Sequence, residues 1–215
     1  MRFAGVLFDL DGVLVDSNSV VVEQMRVWAR GRGVPFEGVE RVMHGRPTVE
    51  TVRLVAPHLD AEEEAATIEE MERAREHEVL AFMGAQRLLG AIDAARWAVV
   101  TSSTRASALR KLDFAGLPIP GVLVSADDVT RAKPAPEPYA RAAERLGLAA
   151  DRCAVVEDSP SGVAAGRAAG AYVIGLATTV PVDLLGDAHV VLGGLHELSV
   201  TGGGIGVTLT WAAPR

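Results

Sequence analysis

Two carboxylates stand one residue apart at the end of an apolar segment near the N-terminus. In the stretch VLFDLDGVLVDS, residues 6–17, Asp9 and Asp11 follow a short apolar run, and Gly12 comes directly after them. An aspartate at a strand end is often only a turn former or a helix cap. The pair alone is therefore a weak indication of a functional site.

Three further apolar segments are followed by side chains that can handle phosphate and metal ions. These side chains are Thr101, Ser102 and Ser103 after WAVV, Glu157 and Asp158 after CAVV, and Lys133 in RAKPAPEPY after VLV. In open parallel sheets, ligands bind beyond the carboxyl ends of the strands. We therefore expect the four segments to bring their polar groups together at one edge of a sheet.

The carboxylates of this set predict a metal site. Asp9, Glu157 and Asp158 can stay ionised beside one another only if a cation neutralises them. Mg²⁺ prefers one or two carboxylates and keeps water and substrate phosphate in its other positions. Zinc is disfavoured, because the five histidines lie away from these strand ends and Cys153 is the single cysteine.

The remaining polar groups are suited to binding an anion. Thr101 supplies a hydroxyl, and the backbone N–H groups after it can donate to phosphate oxygens. Lys133 is one of only two lysines, the other being Lys111, while the other cations are arginines. A lysine in a proline-rich loop therefore suggests a compact ammonium group placed for binding.

The elements that must position these groups alternate between strands and helices. Short continuous apolar segments indicate strands that are covered on both faces, and these are residues 3–8, 97–100, 122–124, 153–156, 173–175 and 189–192. Helices are predicted over residues 106–114, 138–146 and 162–169. This alternation predicts an α/β domain with a doubly wound parallel sheet.

The first two predicted strands are separated by about 80 residues, more than one crossover helix needs. Residues 17–81 carry helical patterns and are predicted to form an inserted all-helical cap of three or four helices. Residues 1–16 and 82–200 are predicted to form the core. Residues 201–215 are expected to be a poorly packed extension, with an edge strand in IGVTLTW as the alternative.

Together, the four segments resemble the four motifs of the haloacid dehalogenase superfamily. DLDGVLVDS, the Thr of WAVVTSST, KPAPEPY and VVEDSPSGVAAGRAAG occur in the family's order, and the resemblance covers residues 3–198. The insert between the first two motifs is similar to that of the subclass with a helical cap. The resemblance implies a modified Rossmann core, a mobile cap and Mg²⁺ as cofactor.

The resemblance also implies how the two aspartates divide the reaction. Asp9 would attack phosphorus and form an aspartyl phosphate. Asp11 would protonate the leaving alcohol and then deprotonate the water that hydrolyses the intermediate.

The other motif residues are implied to bind metal and phosphate. The implied metal ligands are Asp9, the Asp11 backbone carbonyl, Asp158 and, directly or through water, Glu157. Thr101 and Lys133 would hold the phosphoryl group, with Ser102 and Ser103 as further substrate contacts.

Several members of the family can be compared with this chain. Asp11 favours a phosphatase over a dehalogenase, because a halide needs no proton when it leaves. The proposed cap contains no lysine, which argues against a phosphonatase that uses a cap lysine, and Val21 stands where sugar phosphomutases carry a histidine. The chain is most similar to the sugar phosphatase and glycerol-3-phosphate/2-deoxyglucose-6-phosphate phosphatase group. A phosphoglycolate phosphatase ranks second, a sugar phosphomutase lower, and a non-enzymatic binding domain is the remaining class.

Recognition of the leaving group is expected to involve the cap. In VMHGRPTVETV, the residues His44, Gly45 and Arg46 are candidates, with an exposed loop of no catalytic consequence as an equal alternative. Glu72 could bind a polyol, but the acidic run of residues 62–78 is predicted to be a solvated helix face.

Composition excludes several kinds of partner. The net charge is −7 and no dense Lys/Arg block occurs, which disfavours nucleic-acid binding. No apolar run approaches the ~20 residues of a membrane helix, and a single cysteine fits a reducing compartment. We expect a cytoplasmic protein that binds a small phosphorylated metabolite, with no nucleic-acid or membrane partner; the sequence indicates no particular oligomeric state.

Overall fold

A six-stranded parallel sheet lies at the centre of the computed structural model, which describes residues 1–202 and 206–211. The strands are β1 (Arg2–Phe3), β2 (Gly5–Phe8), β3 (Val15–Asp16), β4 (Leu80–Ala81), β5 (Trp97–Val100), β6 (Leu123–Val124), β7 (Cys153–Glu157), β8 (Tyr172–Leu176), β9 (Val190–Leu192), β10 (Ser199–Gly202) and β11 (Val207–Thr210). The central sheet has the order β6-β5-β2-β7-β8-β9, with every neighbouring pair parallel. Strand β2, which leads to Asp9, is therefore central.

Helices cover both faces of this sheet. The α-helices are α1 (Asn18–Arg32), α2 (Phe36–Met43), α3 (Thr48–Val55), α4 (Ala61–Arg73), α5 (Ala85–Gly90), α6 (Arg105–Phe114), α7 (Glu137–Arg145) and α8 (Pro160–Ala168). Short 3-10 helices span Glu76–Glu78, Ala94–Arg96, Ala126–Asp128, Ala150–Arg152, Val182–Leu185 and Leu195–Glu197. Leu88 of α5 and Leu112 of α6 pack with one set of strand side chains, and Tyr139 of α7 and Val163 of α8 pack with the other.

The two-sided burial explains why the central strands are continuously apolar. Strands β2, β5 and β7 are buried at every position, as expected for parallel strands with helices on both faces. The predicted α/β fold with a doubly wound parallel sheet is confirmed. The predicted strand over residues 3–8 is in fact two strands, because Phe3 pairs with Val207 of β11 and not with the central sheet.

Local sequence explains where several helices begin. The Asp60 carboxylate accepts from the N–H groups of Glu62 and Glu63 at the start of α4. Thr104 caps α6 and Ser159 caps α8 in the same way, with Pro160 in the first turn of α8. The ends of β5 and β7, which carry polar motif residues, therefore lead into capped helices.

Helices α1 to α4 lie together between β3 and β4 along the chain. They have a hydrophobic cluster of their own, which includes Met25, Trp28, Val39, Val52 and Ile68. Strands β3 and β4 pair antiparallel where the chain enters and leaves this segment. We call α1 to α4 the cap, and the rest of the described chain the core.

The described C-terminal residues pack against the core. Strands β10 and β11 form a three-stranded antiparallel sheet with β1, and Val207 and Leu209 are buried in the main hydrophobic cluster. The expectation of a poorly packed extension is therefore wrong for these residues. The alternative of a strand in IGVTLTW is confirmed, but β11 is not an edge strand, because it lies between β1 and β10. The part of that extension over residues 203–205 and 212–215 lies outside the described residues.

The acidic segment of residues 62–78 is not uniformly solvated. Glu64, Glu72 and Glu76 are buried, whereas the other glutamates of the segment are exposed or half-buried. The prediction of a solvated face is wrong for these three, because one side of α4 and the turn after it packs against α1 and the core. Among the described helices, none has the length and apolar character needed to cross a membrane.

Candidate active site

The two aspartates of the first motif lie in a turn at the carboxyl end of β2. The Asp9 N–H still donates to Val156 O of β7 at 3.0 Å, so Asp9 continues the sheet. After Asp9, the N–H groups of Val13, Leu14 and Val15 all donate to Leu10 O. This turn brings Asp9 and Asp11 to the same cavity between cap and core.

Lys133 lies between two carboxylates at the base of the site. Its Nζ is 2.9 Å from Asp9 Oδ1 and 2.6 Å from Glu157 Oε1, and it also donates to Val100 O. All three charged groups are almost completely buried. Oxygen atoms of Asp9, Glu157 and Asp158 lie within 4.8 Å of one another. The structure therefore places three carboxylates and one ammonium group in a space that water barely reaches.

Burial and the surplus negative charge of this cluster raise the pKa values of two of its carboxyl groups. Burial, opposed by Lys133 and reinforced by Glu157, raises the pKa of Asp9 to about 7. Burial and the charges of Glu157 and Asp9 raise the pKa of Asp158 well above its usual range. A divalent cation would favour the ionised form of both, and clustered hard carboxylate oxygens suit Mg²⁺. The donor set present therefore fits the predicted metal.

Glu157 differs from its neighbours because its carboxylate is fully hydrogen-bonded. Oε1 accepts from Lys133 and from the Tyr139 hydroxyl, and Oε2 accepts from the N–H groups of Asp158 and Ser159 and from the Ser159 hydroxyl. A Cβ on Gly162 would collide with this carboxylate, so α8 can approach it only at a glycine. Glu157 thus fixes the loop that carries Asp158.

Gly12 and Thr178 pack close to the loop around Asp158. Gly12 has φ 78°, and a Cβ there would collide with the Asp158 carboxylate. The Thr178 hydroxyl donates to Gly12 O. A side chain at position 12 is therefore excluded both by the backbone conformation and by the neighbouring carboxylate.

The second motif lies at the end of β5, with its three hydroxyls in different positions. Thr101 is buried, and its Oγ1 accepts from Ser103 N–H at 3.0 Å. The Ser102 hydroxyl donates to Gly45 O of the cap at 2.9 Å. The Ser103 hydroxyl donates to Asp11 Oδ2 at 3.0 Å. Thr101 therefore lies in the core end of the site, while Ser102 and Ser103 connect it to the cap and to Asp11.

Asp11 has a set of partners that sequence reasoning missed. Lys111 Nζ lies 2.7 Å from Asp11 Oδ1 and 3.3 Å from Ser103 Oγ, and the Ser17 hydroxyl also donates to Asp11. Burial raises the pKa of Asp11, but the Lys111 charge and these hydrogen bonds outweigh it, so the net shift is downward. The pKa of Asp11 is thus lowered, whereas that of Asp9 is raised.

The loop of residues 43–46 closes the site from the cap side. The Ser161 hydroxyl of the core donates to His44 O at 3.1 Å. Together with the bond from Ser102 to Gly45 O, it gives this loop two hydrogen bonds from the core. Gly45 has φ 73°, and a Cβ there would collide with the hydroxyl of Ser161. The structure therefore brings Gly45 against the core.

The two side chains beside Gly45 face two cavities. Arg46 lines the cavity that also contains Asp9 and Asp11. His44 lines a second, smaller cavity next to Asp158, and burial lowers the pKa of His44.

Glu72 of α4 lines the same cavity as Asp11 and Lys111. It is 8% exposed, so the prediction of a solvated position is wrong. Burial raises the pKa of Glu72 to about 7, although the charge of Lys111 opposes this rise. The scarcity of lysine in the chain was a signal that could have found Lys111, since it applies to Lys111 as much as to Lys133. No comparable signal separates Glu72 from the exposed glutamates around it.

Comparisons with known proteins show which sequences and folds this chain is similar to. A family profile described as a haloacid dehalogenase-like hydrolase matches residues 3–170. Hexitol phosphatase A of Escherichia coli (strain K12) is 38% identical over 206 residues, which cover 94% of this chain and 95% of that protein. Glycerol-1-phosphate phosphohydrolase 1 of Saccharomyces cerevisiae is 32% identical over 200 residues, which cover 86% of this chain and 79% of that protein.

A solved structure gives a similar answer for the fold. The crystal structure of β-phosphoglucomutase from Clostridium difficile matches with a TM-score of 0.81 and covers 92% of this chain and 93% of that chain. The sequence identity is 19%, so the likeness concerns the fold alone.

Proposed function

The chain belongs to the haloacid dehalogenase-like hydrolase family and is a phosphoric monoester hydrolase, and from this premise we propose that it hydrolyses small phosphorylated sugars or polyols with Mg²⁺. The observation that carries the proposal is the contrast between the two aspartates of one turn. Asp9 faces Lys133 and the other carboxylates, while Asp11 faces Lys111 and two hydroxyls. The substrate class is supported by the similarity to a hexitol phosphatase and a glycerol-1-phosphate phosphohydrolase.

Asp9 is the proposed nucleophile. Its carboxylate oxygen attacks phosphorus, the bond from phosphorus to the ester oxygen breaks, and an aspartyl phosphate forms. Lys133 pairs with Asp9 at 2.9 Å and favours its ionised form, which opposes the effect of burial. Burial of Asp9 removes competing water, so that the nucleophile is poorly solvated and aimed into the cavity.

Asp11 is the proposed acid and base. The negative charge of an arriving phosphate raises the pKa of Asp11, which favours the protonated form that the departing oxygen needs. After the alcohol leaves, Asp11 is a carboxylate again, and Lys111 stabilises that form. Asp11 can then take a proton from the water that attacks the aspartyl phosphate, which regenerates Asp9 and releases phosphate.

The remaining motif residues bind the phosphoryl group and the metal. Thr101 and Lys133 are the proposed partners of the phosphoryl oxygens. Asp9, the Asp11 carbonyl and Asp158 are the proposed Mg²⁺ ligands. Bound Mg²⁺ supplies positive charge that offsets the charge of the transferring phosphate. Because both oxygens of Glu157 are already hydrogen-bonded, we propose that it orients the Asp158 loop and meets the metal through water.

A phosphomutase is disfavoured by one residue of the cap. Val21 lines the cavity at the position where the mutases of the family carry a histidine. An apolar side chain cannot move a proton to or from a sugar hydroxyl. The leaving alcohol is therefore proposed to depart, and water to replace it. A phosphoglycolate phosphatase is the second-ranked alternative, and substrate tests decide between them.

The experiment is a measurement of phosphate release by the purified protein from a panel of phosphorylated metabolites. We expect turnover of polyol and sugar phosphates with Mg²⁺, a loss of turnover with EDTA, and recovery when Mg²⁺ is returned. Phosphoglycolate is included as the competing substrate, and a much higher kcat/KM for it would favour the alternative. Absence of phosphate release from the whole panel with Mg²⁺ would contradict the proposal.

A further inference from the structure

We propose that Glu72 determines substrate specificity by accepting a hydrogen bond from a hydroxyl of the leaving group. The proposal rests on the proposed function, because it concerns the alcohol part of a phosphate ester. Glu72 lies in α4 of the cap, and it lines the same cavity as Asp9 and Asp11. The cap therefore contributes a carboxylate to the space where the leaving alcohol of a substrate on Asp9 must lie.

Glu72 is the unpaired member of three buried glutamates in one segment. Glu64 accepts from the Trp28 indole N–H and pairs with Arg32. Glu76 accepts from the Ser107 hydroxyl and pairs with Arg110. No hydrogen bond or ion pair joins the Glu72 side chain to any residue in the described part of the chain. The contrast indicates that packing of the cap does not by itself explain a carboxylate at position 72.

The oxygens of Glu72 remain open to the cavity. Across the described residues, every side-chain nitrogen or oxygen atom that is fully shielded from solvent has a hydrogen-bond partner. Glu72 is 8% exposed and has none, so its carboxylate must reach the cavity. An unpaired carboxylate in a poorly hydrated place destabilises the fold, as its pKa of about 7 reflects. A protein tolerates such a cost where the group binds a ligand.

The surroundings of Glu72 fit a neutral polyol. The cavity wall contains the hydroxyls of Thr48 and Ser107 and the apolar side chains of Val21, Met25 and Met43. The hydroxyl groups of a polyol can bind the polar groups of this wall, and its C–H groups can contact the apolar side chains. Glu69, one turn before Glu72, lines the same wall. Two carboxylates favour a hydroxyl donor over a second anionic group at this place.

The test compares two substrates that differ only in hydroxyl groups. Glycerol 3-phosphate and n-propyl phosphate have the same three carbons and the same ester. For the wild-type protein we expect kcat/KM to favour glycerol 3-phosphate by at least about tenfold, because a site built to bind a hydroxyl rejects the analogue that lacks it. In Glu72→Ala we expect this ratio to fall to about one, and in Glu72→Gln to fall to an intermediate value. A ratio isolates specificity from any general loss of rate.

Glu63→Gln is the matched control, because Glu63 is an exposed residue of the same helix and the substitution removes the same charge. The control should keep the wild-type ratio. Thermal unfolding shows whether each variant is folded. If Glu72→Ala is not folded, the ratio of Glu72→Gln decides the outcome. A wild-type ratio in the folded Glu72 variants would overturn the inference while leaving the proposed function intact. A wild-type protein inactive on both substrates would contradict the proposed function, and the inference with it.

Discussion

The two ends of the active-site cavity are built in opposite ways. At the core end, Lys133 pairs with Asp9 and Glu157, and both oxygens of Glu157 are hydrogen-bonded. At the cap end, Glu72 is buried with no such partner among the described residues. Most polar groups at the core end thus have protein partners without a substrate, whereas Glu72 at the cap end has none in the described part of the chain.

From this difference we infer which part of the proposed reaction each end serves. The phosphoryl group is the same in every substrate of a phosphatase, so a rigid set of charges can be arranged for it in advance. The leaving alcohol differs between substrates, and its partners are satisfied only when the right alcohol is bound. We therefore expect changes at the core end to stop the reaction, and changes at the cap end to alter the choice of substrate.

The largest effect is expected for Asp9→Asn. The amide is not a nucleophile, so kcat should fall at least about 10⁴-fold for every substrate, as when a nucleophile is removed from other hydrolases. Phosphate release by the purified variant is the measurement. Asp113→Asn, an exposed change on α6, is the control and should retain wild-type turnover. A folded Asp9→Asn variant with near wild-type rates would remove Asp9 from the mechanism and with it the assignment of the core end.

The two lysines of the chain allow a comparison by stability, because Lys133 lies at the core end and Lys111 lines the cavity with Glu72 of the cap end. Lys133→Met leaves the buried Asp9 and Glu157 without their cation, and breaking a buried ion pair in this way costs about 3–5 kcal/mol. Lys111→Met should cost less, because the Asp11 side chain is 28% exposed and keeps its bonds to Ser17 and Ser103. Urea unfolding without Mg²⁺ measures both values. Equal losses of the free energy of unfolding in the two variants would contradict the expected difference between the two ion pairs.

The core end of the site could be predicted from sequence because its parts are local. Each motif residue directly follows a continuous apolar segment, and parallel strands must bring their carboxyl ends to one edge. This placed Asp9, Thr101 and Asp158 in one prediction, and the structure brings them together around one site. The fold class followed from the same segments and is confirmed by the parallel sheet.

The cap end and the C-terminal sheet depend on contacts that sequence patterns do not carry. Glu72 lies in the same acidic helical segment as exposed glutamates, and it is buried where α4 lines the cavity together with core residues. Lys111 lies 100 residues after Asp11 in the sequence and meets it through the packing of α6. Strand β11 pairs with β1 from the opposite end of the chain, and no local pattern specifies that pairing.

The smallest effect is expected for Glu72→Gln, and it depends on pH. Burial raises the pKa of Glu72 from 4.5 to about 7, so folding disfavours the ionised form, and the wild-type protein loses stability as pH rises from about 4.5 to about 7. Glutamine has no such penalty. Glu72→Gln should therefore match the wild type near pH 4.5 and exceed its free energy of unfolding by up to about 3 kcal/mol at pH 8. Urea unfolding at both pH values, with Glu63→Gln as the exposed control, measures this difference. If Glu72→Gln raises the free energy of unfolding equally at both pH values, ionisation of Glu72 does not destabilise the fold. If Glu72→Gln raises the free energy of unfolding only at high pH, the ionised carboxylate of Glu72 destabilises the cap end and is not there to stabilise the fold.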